Sequence, residues 1–255
     1  MSRRETLSIG LNDQFKRALA ICVKDIRIYY FKGPVIIFGL LLPLFLFAAF
    51  LIGRGLPSQF LVSRLTAITI FSTATAVAPM IMPWETRART LERLISSPIS
   101  IAAIILGDVL ASFMFGAFFS LVPVIISLIM NVKLIHPLLF LVSVLMASFC
   151  FSSLAAILST PPADVPANVM MLSGLVKFPL IFISGIFIPL EGMPEWGRLI
   201  ASLSPLTYFT EIAAYSIEGV SFYPIELDIL ILLGFCIAFI VAAIKLHERS
   251  MAKRL

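Results

Sequence analysis

Long, nearly uninterrupted apolar blocks limit what this chain can fold into. The first, PVIIFGLLLPLFLFAAFLIG, fills residues 34–53. Five more occupy about 60–82, 106–130, 138–160, 165–188 and 226–246. A spanning helix needs roughly 20 such residues, and a soluble fold would break each block with a polar face. Of the 255 residues, 60% are hydrophobic and 13% charged, against about 25% charged in a soluble domain. The blocks therefore predict an all-α, polytopic membrane protein with six transmembrane helices.

The basic residues orient those spans. Seven precede the first block (Arg3, Arg4, Lys16, Arg17, Lys24, Arg27, Lys32), three lie between the second and third (Arg87, Arg89, Arg93), and four follow the sixth (Lys245, Arg249, Lys253, Arg254). That is fourteen of the nineteen on one side; Arg54, Arg64, Lys133 and Arg198 fall on the other. Bases stay with the cytoplasm, so both termini are expected inside, in agreement with an even number of spans. Placed this way, the net charge of +5 belongs to a membrane surface and not to a nucleic-acid partner. Cys22, Cys150 and Cys236 share no motif spacing and read as small packing residues. The first 33 residues hold no short apolar core with a cleavage site, so no removable signal peptide is expected.

Three segments are not spans. Residues 11–32 place Leu11, Phe15, Leu19, Cys22, Ile26, Tyr29 and Tyr30 at three- to four-residue steps, with Lys16, Lys24 and Arg27 largely off that stripe. This is the pattern of an amphipathic helix lying in the membrane interface, with the tyrosines at headgroup level; it serves as an anchor, as a frame for a docking surface, or as both. Residues 83–100 begin at Pro83, expected to end the second span, and stop a short amphipathic helix at Pro98. Glu85 and Arg89 stand four apart in the favourable order for a helical ion pair. By periodicity alone the segment is either a solvated connector or a partner-facing helix. Residues 184–218 are half apolar and punctuated by Pro189, Pro194 and Pro205. Stretches at 199–203 and 209–215 are long enough for outer re-entrant helices but not for spans.

Two of these segments carry a family resemblance. ETRARTLERLISSPIS at 85–100 resembles the acid–basic–Thr-Leu-Glu-x-Leu–Ser/Thr-Pro-Ile-Ser loop of the ABC-2 type permeases, the membrane subunits of type-2 ABC exporters. FPLIFISGIFIPLEGMPEWGRLIASLSPLTYFTE at 178–211 resembles their Ser-Gly-x-Phe-x-Pro…Met-Pro…Ser-Pro-Leu-Thr-Tyr segment. The resemblance covers nearly the whole chain. It implies that the helix between spans two and three docks in a cleft of a separate ATP-binding cassette ATPase subunit. On this chain Glu85, Arg87, Thr90, Leu91 and Glu92 match that loop. It also implies ATP and Mg on the partner subunit, no cofactor on this chain, and assembly with a second permease as a homodimer or heterodimer. Arg89 stands where the family usually has glycine, and Gly107–Asp108 where it often has Gly-Lys. No Gly-x-x-x-x-Gly-Lys-Ser/Thr phosphate loop occurs in the sequence, which makes the chain the non-catalytic subunit. The organisation that follows is an interface helix in 1–33, a six-helix domain in 34–246 with a coupling helix at 84–97 and an outer re-entrant segment at 189–218, and a basic tail at 247–255.

Charges within spans call for a functional reading first. Lys177 lies twelve residues into the fifth block, about 18 Å along a helix. It is either a base facing a translocation pathway or a lysine that snorkels or is covered by a partner. Asp108 lies near the inner end of the third block, within reach of headgroups or a base. Thr66, Thr69, Ser72, Thr73 and Thr75 recur along the second block. They offer close helix packing or a hydroxylated pathway wall, in which Thr69 and Thr73 would take part. Two other functions compete with the exporter. A lipid-modifying membrane enzyme needs a catalytic set, yet neither His136 nor His247 has a nucleophile or metal-ligand motif around it. An ion-coupled secondary transporter calls for mid-membrane acids on broken helices, and the blocks carry no such cluster. The cargo class stays open among drugs, lipids and lipid-linked glycans, with a small amphiphile favoured by the short outer segment.

Overall fold

The computed structural model describes residues 11–30, 35, 37–53, 55–161 and 166–251, and the described residues contain helices and no strand. Calls that rest on Arg3, Arg4, Lys32, Arg54, Lys253 and Arg254 lie outside them. Helix α1 (Leu11–Asp25) runs on into a π-helical turn (Ile26–Tyr30). A second π-turn (Ile37–Leu41) leads into α2 (Leu42–Gly53). Then come α3 (Ser58–Ala74), α4 (Ala78–Arg87) and α5 (Thr90–Ser96). After α6 (Ile101–Phe119) and α7 (Leu121–Ile129) follow α8 (Pro137–Leu158) and α9 (Pro166–Ile183). A 3-10 turn (Leu190–Gly192), α10 (Glu195–Ala201), α11 (Pro205–Glu218) and α12 (Ile225–Met251) complete the chain.

Four helical units are long and apolar enough to cross a membrane: Ser58–Arg87, Ile101–Ile129, Pro137–Leu158 and Ile225–Met251. Two shorter apolar helices, Pro43–Ile52 and Ala167–Ile183, stand where the first and fifth blocks were read. The unit Ser58–Arg87 is the most enclosed, 89% of its apolar window being buried, whereas Ile225–Met251 is 22% buried and turns most of its surface outward. The centre is aromatic: Phe71 of α3, Phe151 of α8 and Phe209 of α11 meet edge to face at 5.0 and 6.0 Å, the arrangement favoured by ring quadrupoles.

The second span departs from the sequence expectation. Pro83 does not end it, because the helix runs through Pro83 to Arg87. The interruption is earlier, at 75–77. Pro79 has no N–H to offer the Thr75 carbonyl, its partner four residues back in an unbroken helix. Pro123 has the same effect on the third span, which breaks at Ser120 between α6 and α7. The helix expected at 84–97 is also in two pieces, since Arg89 adopts φ 55° between α4 and α5. With Arg89 out of the helix, its expected pairing with Glu85 across one turn does not form.

Helix α1 packs on α6. A Cβ added at Gly107 would lie 2.7 Å from Ile21 Cβ and 2.8 Å from the Ala18 carbonyl oxygen, so only glycine admits this approach. Phe15, Leu19 and Val23 remain exposed, an apolar face suited to the membrane interface. Tyr29 and Tyr30, read as headgroup anchors, are instead buried. Tyr29 stacks on Trp84 at 5.4 Å, and Tyr30 meets Phe115 and shares a hydrogen bond with Ser112. The outer helices are longer than read: α11 covers Pro205–Glu218, is buried along most of its length and packs on α3 and α12. Helix α12 continues into the segment read as a tail, and His247 is buried with Ser159 Oγ 3.0 Å from its Nε2.

Candidate functional site

The turn between α4 and α5 projects exposed side chains from a buried base. Arg87, Arg89, Thr90, Glu92 and Arg93 are exposed, whereas Glu85 and Leu91 keep 2% and 1% exposure. The five residues matched to the family loop thus divide into two groups. Arg87, Thr90 and Glu92 face outward, available to a partner. Glu85 and Leu91 face inward, Leu91 into an apolar cluster with Ile21, Met82, Ile104 and Ile105. The Thr90 hydroxyl donates to the Glu85 carbonyl at 3.3 Å, tying the start of α5 to the end of α4.

Glu85 is held by Lys24 of α1, which donates to Glu85 Oε1 and pairs with Asp25 Oδ1 at 3.0 Å. Asp108 of α6 is 3% exposed and brings a further buried acid next to Asp25. Two carboxylates, from α1 and α4, therefore meet one ammonium, with the Asp108 acid of α6 close behind. Burial works against the Lys24 charge, but Asp25 and Glu85 outweigh it and hold the lysine above its usual value. Burial pushes the Asp25 carboxyl above its usual value, with Lys24 opposing in part. On the far side of the turn, Gln14 Oε1 accepts the Ser100 N–H at 3.1 Å, at the residue that caps α6. Helix α1 thus grips the chain both before and after the exposed turn. The sequence reading missed Lys24 and Asp25, which sit beside the stripe and look like a solvated pair; the signal was an acid and a base next to two interfacial tyrosines.

The second feature is a cavity of about 240 Å³ beside Lys177, between the break in the second span and α9. Phe71, Ser72, Thr75 and Ala76 form one wall; Met170, Gly174, Phe178 and Ile181 form the other with Lys177. Lys177 Nζ donates to the Thr75 carbonyl oxygen at 2.9 Å, the carbonyl that Pro79 leaves without its helical partner. Among the described residues no carboxylate pairs with this lysine. Thr69 and Thr73 do not line the cavity. Both are fully buried on another face of α3, Thr73 against the backbone near Gly39 with its hydroxyl bonded to the Thr69 carbonyl at 2.7 Å. Ser72 and Thr75 are the hydroxyl residues of that series that reach the cavity. Helix α4 joins the two features: it starts after the break and ends at the exposed turn, and α9 packs along it.

Comparison with known proteins bears on the family of the chain. Residues 17–217 match the family model described as ABC-2 type transporter. The inner membrane transport permease YadH of Escherichia coli (strain K12) is 24% identical over 196 residues, which cover 77% of each chain. The YadH proteins of Escherichia coli O157:H7 and Shigella flexneri align with the same identity and coverage.

Proposed function

The chain belongs to the ABC-2 type transporter family, and from that premise we propose that it is the permease subunit of an ATP-driven exporter, powered by a separate ATP-binding cassette subunit. That it is a multi-pass membrane transport permease of the plasma membrane follows from the family and the apolar helices. The exporter reading goes further. The observation that carries it is the α4–α5 turn, whose exposed Arg87, Thr90 and Glu92 stand on a base fixed by Lys24, Glu85 and Leu91. A mixed-charge knob on a rigid foundation suits docking in a partner's groove, and a buried foundation passes on the partner's motion instead of absorbing it.

The remaining parts follow. The two shorter apolar helices complete six spans: the π-turn and α2 together give five plus twelve residues and α9 gives eighteen, about 26 Å each at 1.5 Å per residue. Both termini and the docking turn lie in the cytoplasm, by the distribution of bases. A second permease, identical or related, covers the apolar face of α9, where Met171, Leu175, Phe178 and Phe182 are exposed. The pathway runs past Lys177, Ser72 and Thr75, with Thr69 and Thr73 packing the helix that forms its wall. ATP and Mg bind the partner subunit, and the cargo is an amphiphile. Co-expression with an ATP-binding cassette subunit tests the reading: a stable complex whose ATP hydrolysis drives amphiphile uptake into inverted vesicles supports it. Amphiphile movement driven by an ion gradient with no ATPase bound would replace it with secondary transport.

A further inference from the structure

Lys177 is a half-buried ammonium at mid-span whose recorded partner is one backbone carbonyl. A lysine at such depth is unfavourable unless paired, and an ammonium has three donors. Thr75 uses its own hydroxyl on the Phe71 carbonyl at 2.7 Å, so the side chains beside the lysine do not compensate its charge. The cavity next to it has an apolar body, built from Phe71, Met170, Phe178 and Ile181, and a polar corner formed by Lys177 and Ser72. Such a space rewards a ligand with an apolar body and an anionic head, because only an anion relieves the unpaired charge.

We propose that this cavity takes an anionic amphiphile, bearing a phosphate or carboxylate head, and that Lys177 gives up the Thr75 carbonyl for that head. This rests on the permease reading above and adds the class of cargo. The exchange has a structural consequence. The carbonyl that Pro79 orphaned loses its substitute donor when the ammonium turns to the ligand, so the break at 75–77 must rearrange to satisfy it. The break begins α4, and α4 ends at the docking turn. Occupancy of the cavity is thus reported along one ten-residue helix, about 15 Å long, to the residues that meet the ATPase.

The test uses the permease–ATPase complex in phosphatidylcholine vesicles and reads stimulation of ATP hydrolysis. The probes are dodecyl phosphate, neutral dodecyl maltoside, cationic dodecyltrimethylammonium, methyl phosphate as a head without a tail, and phosphatidic acid added to the vesicle as a lipid source of the same head. Dodecyl phosphate is expected to stimulate the native complex more strongly than the neutral and cationic probes. Lys177→Met should raise its half-stimulating concentration by about ten-fold or more, the weight of one charge-assisted bond, while Lys177→Arg recovers most of the response. Ser72→Phe, which fills the cavity with the lysine intact, should abolish it. Stimulation by phosphatidic acid with the same Lys177 dependence identifies a membrane lipid as the cargo; its absence, with dodecyl phosphate active, identifies a free amphiphile. The proposal is overturned if Lys177→Met shifts charged and neutral probes alike, or if methyl phosphate alone matches dodecyl phosphate. A native complex that moves neutral amphiphiles with ATP but ignores every anion defeats this proposal and leaves the permease reading standing. A chain that binds no ATPase defeats both.

Discussion

The two ends of α4 handle charge in different ways. At the docking end, Glu85 enters a network of side chains in which Lys24, Asp25 and Asp108 come from two other helices. At the cavity end, one ammonium rests on one carbonyl, with apolar walls around it. The first arrangement is costly to disturb at its one base, because removing Lys24 leaves the buried Glu85 carboxylate unpaired. The second is easily exchanged, because an ammonium can swap one oxygen for another. The contrast matches the roles proposed for them: a base that must not yield and a contact that must. It also separates residues that look alike in sequence, since Glu85 and Glu92 belong to one short motif but only Glu92 is exposed.

The contrast can be broken from the docking end first. Lys24→Met should have the largest effect, about 3 kcal/mol of lost stability, the lower part of the range for breaking a buried pair, since Lys24 keeps 27% exposure. Thermal unfolding in detergent would show it, while Lys177→Met should leave the unfolding temperature level or raise it. Gly107→Ala comes next, at about 1–3 kcal/mol, because the new methyl meets Ile21 and the Ala18 carbonyl; loss of α1 protection in hydrogen exchange would locate the damage. Asp25→Asn acts through pH. Burial raises the folded-state value of Asp25, so between its ordinary value of roughly 3.9 and the raised one the folded protein binds more protons than the unfolded chain. Stability must therefore fall as pH rises through that window, and Asn should flatten the slope; a slope that persists in the variant would assign it to another group. Arg89→Gly is the smallest change and of opposite sign, a gain of about 1 kcal/mol from relieving the left-handed backbone at φ 55°.

The gross architecture was legible because apolar blocks long enough to span a bilayer have few alternatives. Helix α8 lies within two residues of the block read for it, at Pro137–Leu158. What escaped was decided across helices. Glu85 and Arg89 look like an exposed pair on one helix, and only the packing of α1 shows that Glu85 faces Lys24 instead. The break at 75–77 could have been found, since Pro79 lies four residues after Thr75, but Pro83 was the proline that coincided with the end of the apolar block. Arg89 carried a visible signal, an arginine where the resembled loop would have glycine, and the backbone there has the conformation that glycine favours. Period alone singles out Thr69 and Thr73. Period orders residues around a helix without telling which arc meets a cavity, and the cavity falls beside Ser72 and Thr75.

In the proposed complex the exposed half of the α4–α5 turn is where the ATPase docks and the buried half is its foundation. The most direct measurement is the affinity of the ATP-binding cassette subunit for the purified permease carrying Arg87→Ala with Glu92→Ala, set beside the native chain. A loss of about ten-fold or more is expected, as for truncating two residues at the centre of an interface, with the permease as thermally stable as before. Native affinity in the double variant, together with native ATP-driven transport, would contradict it.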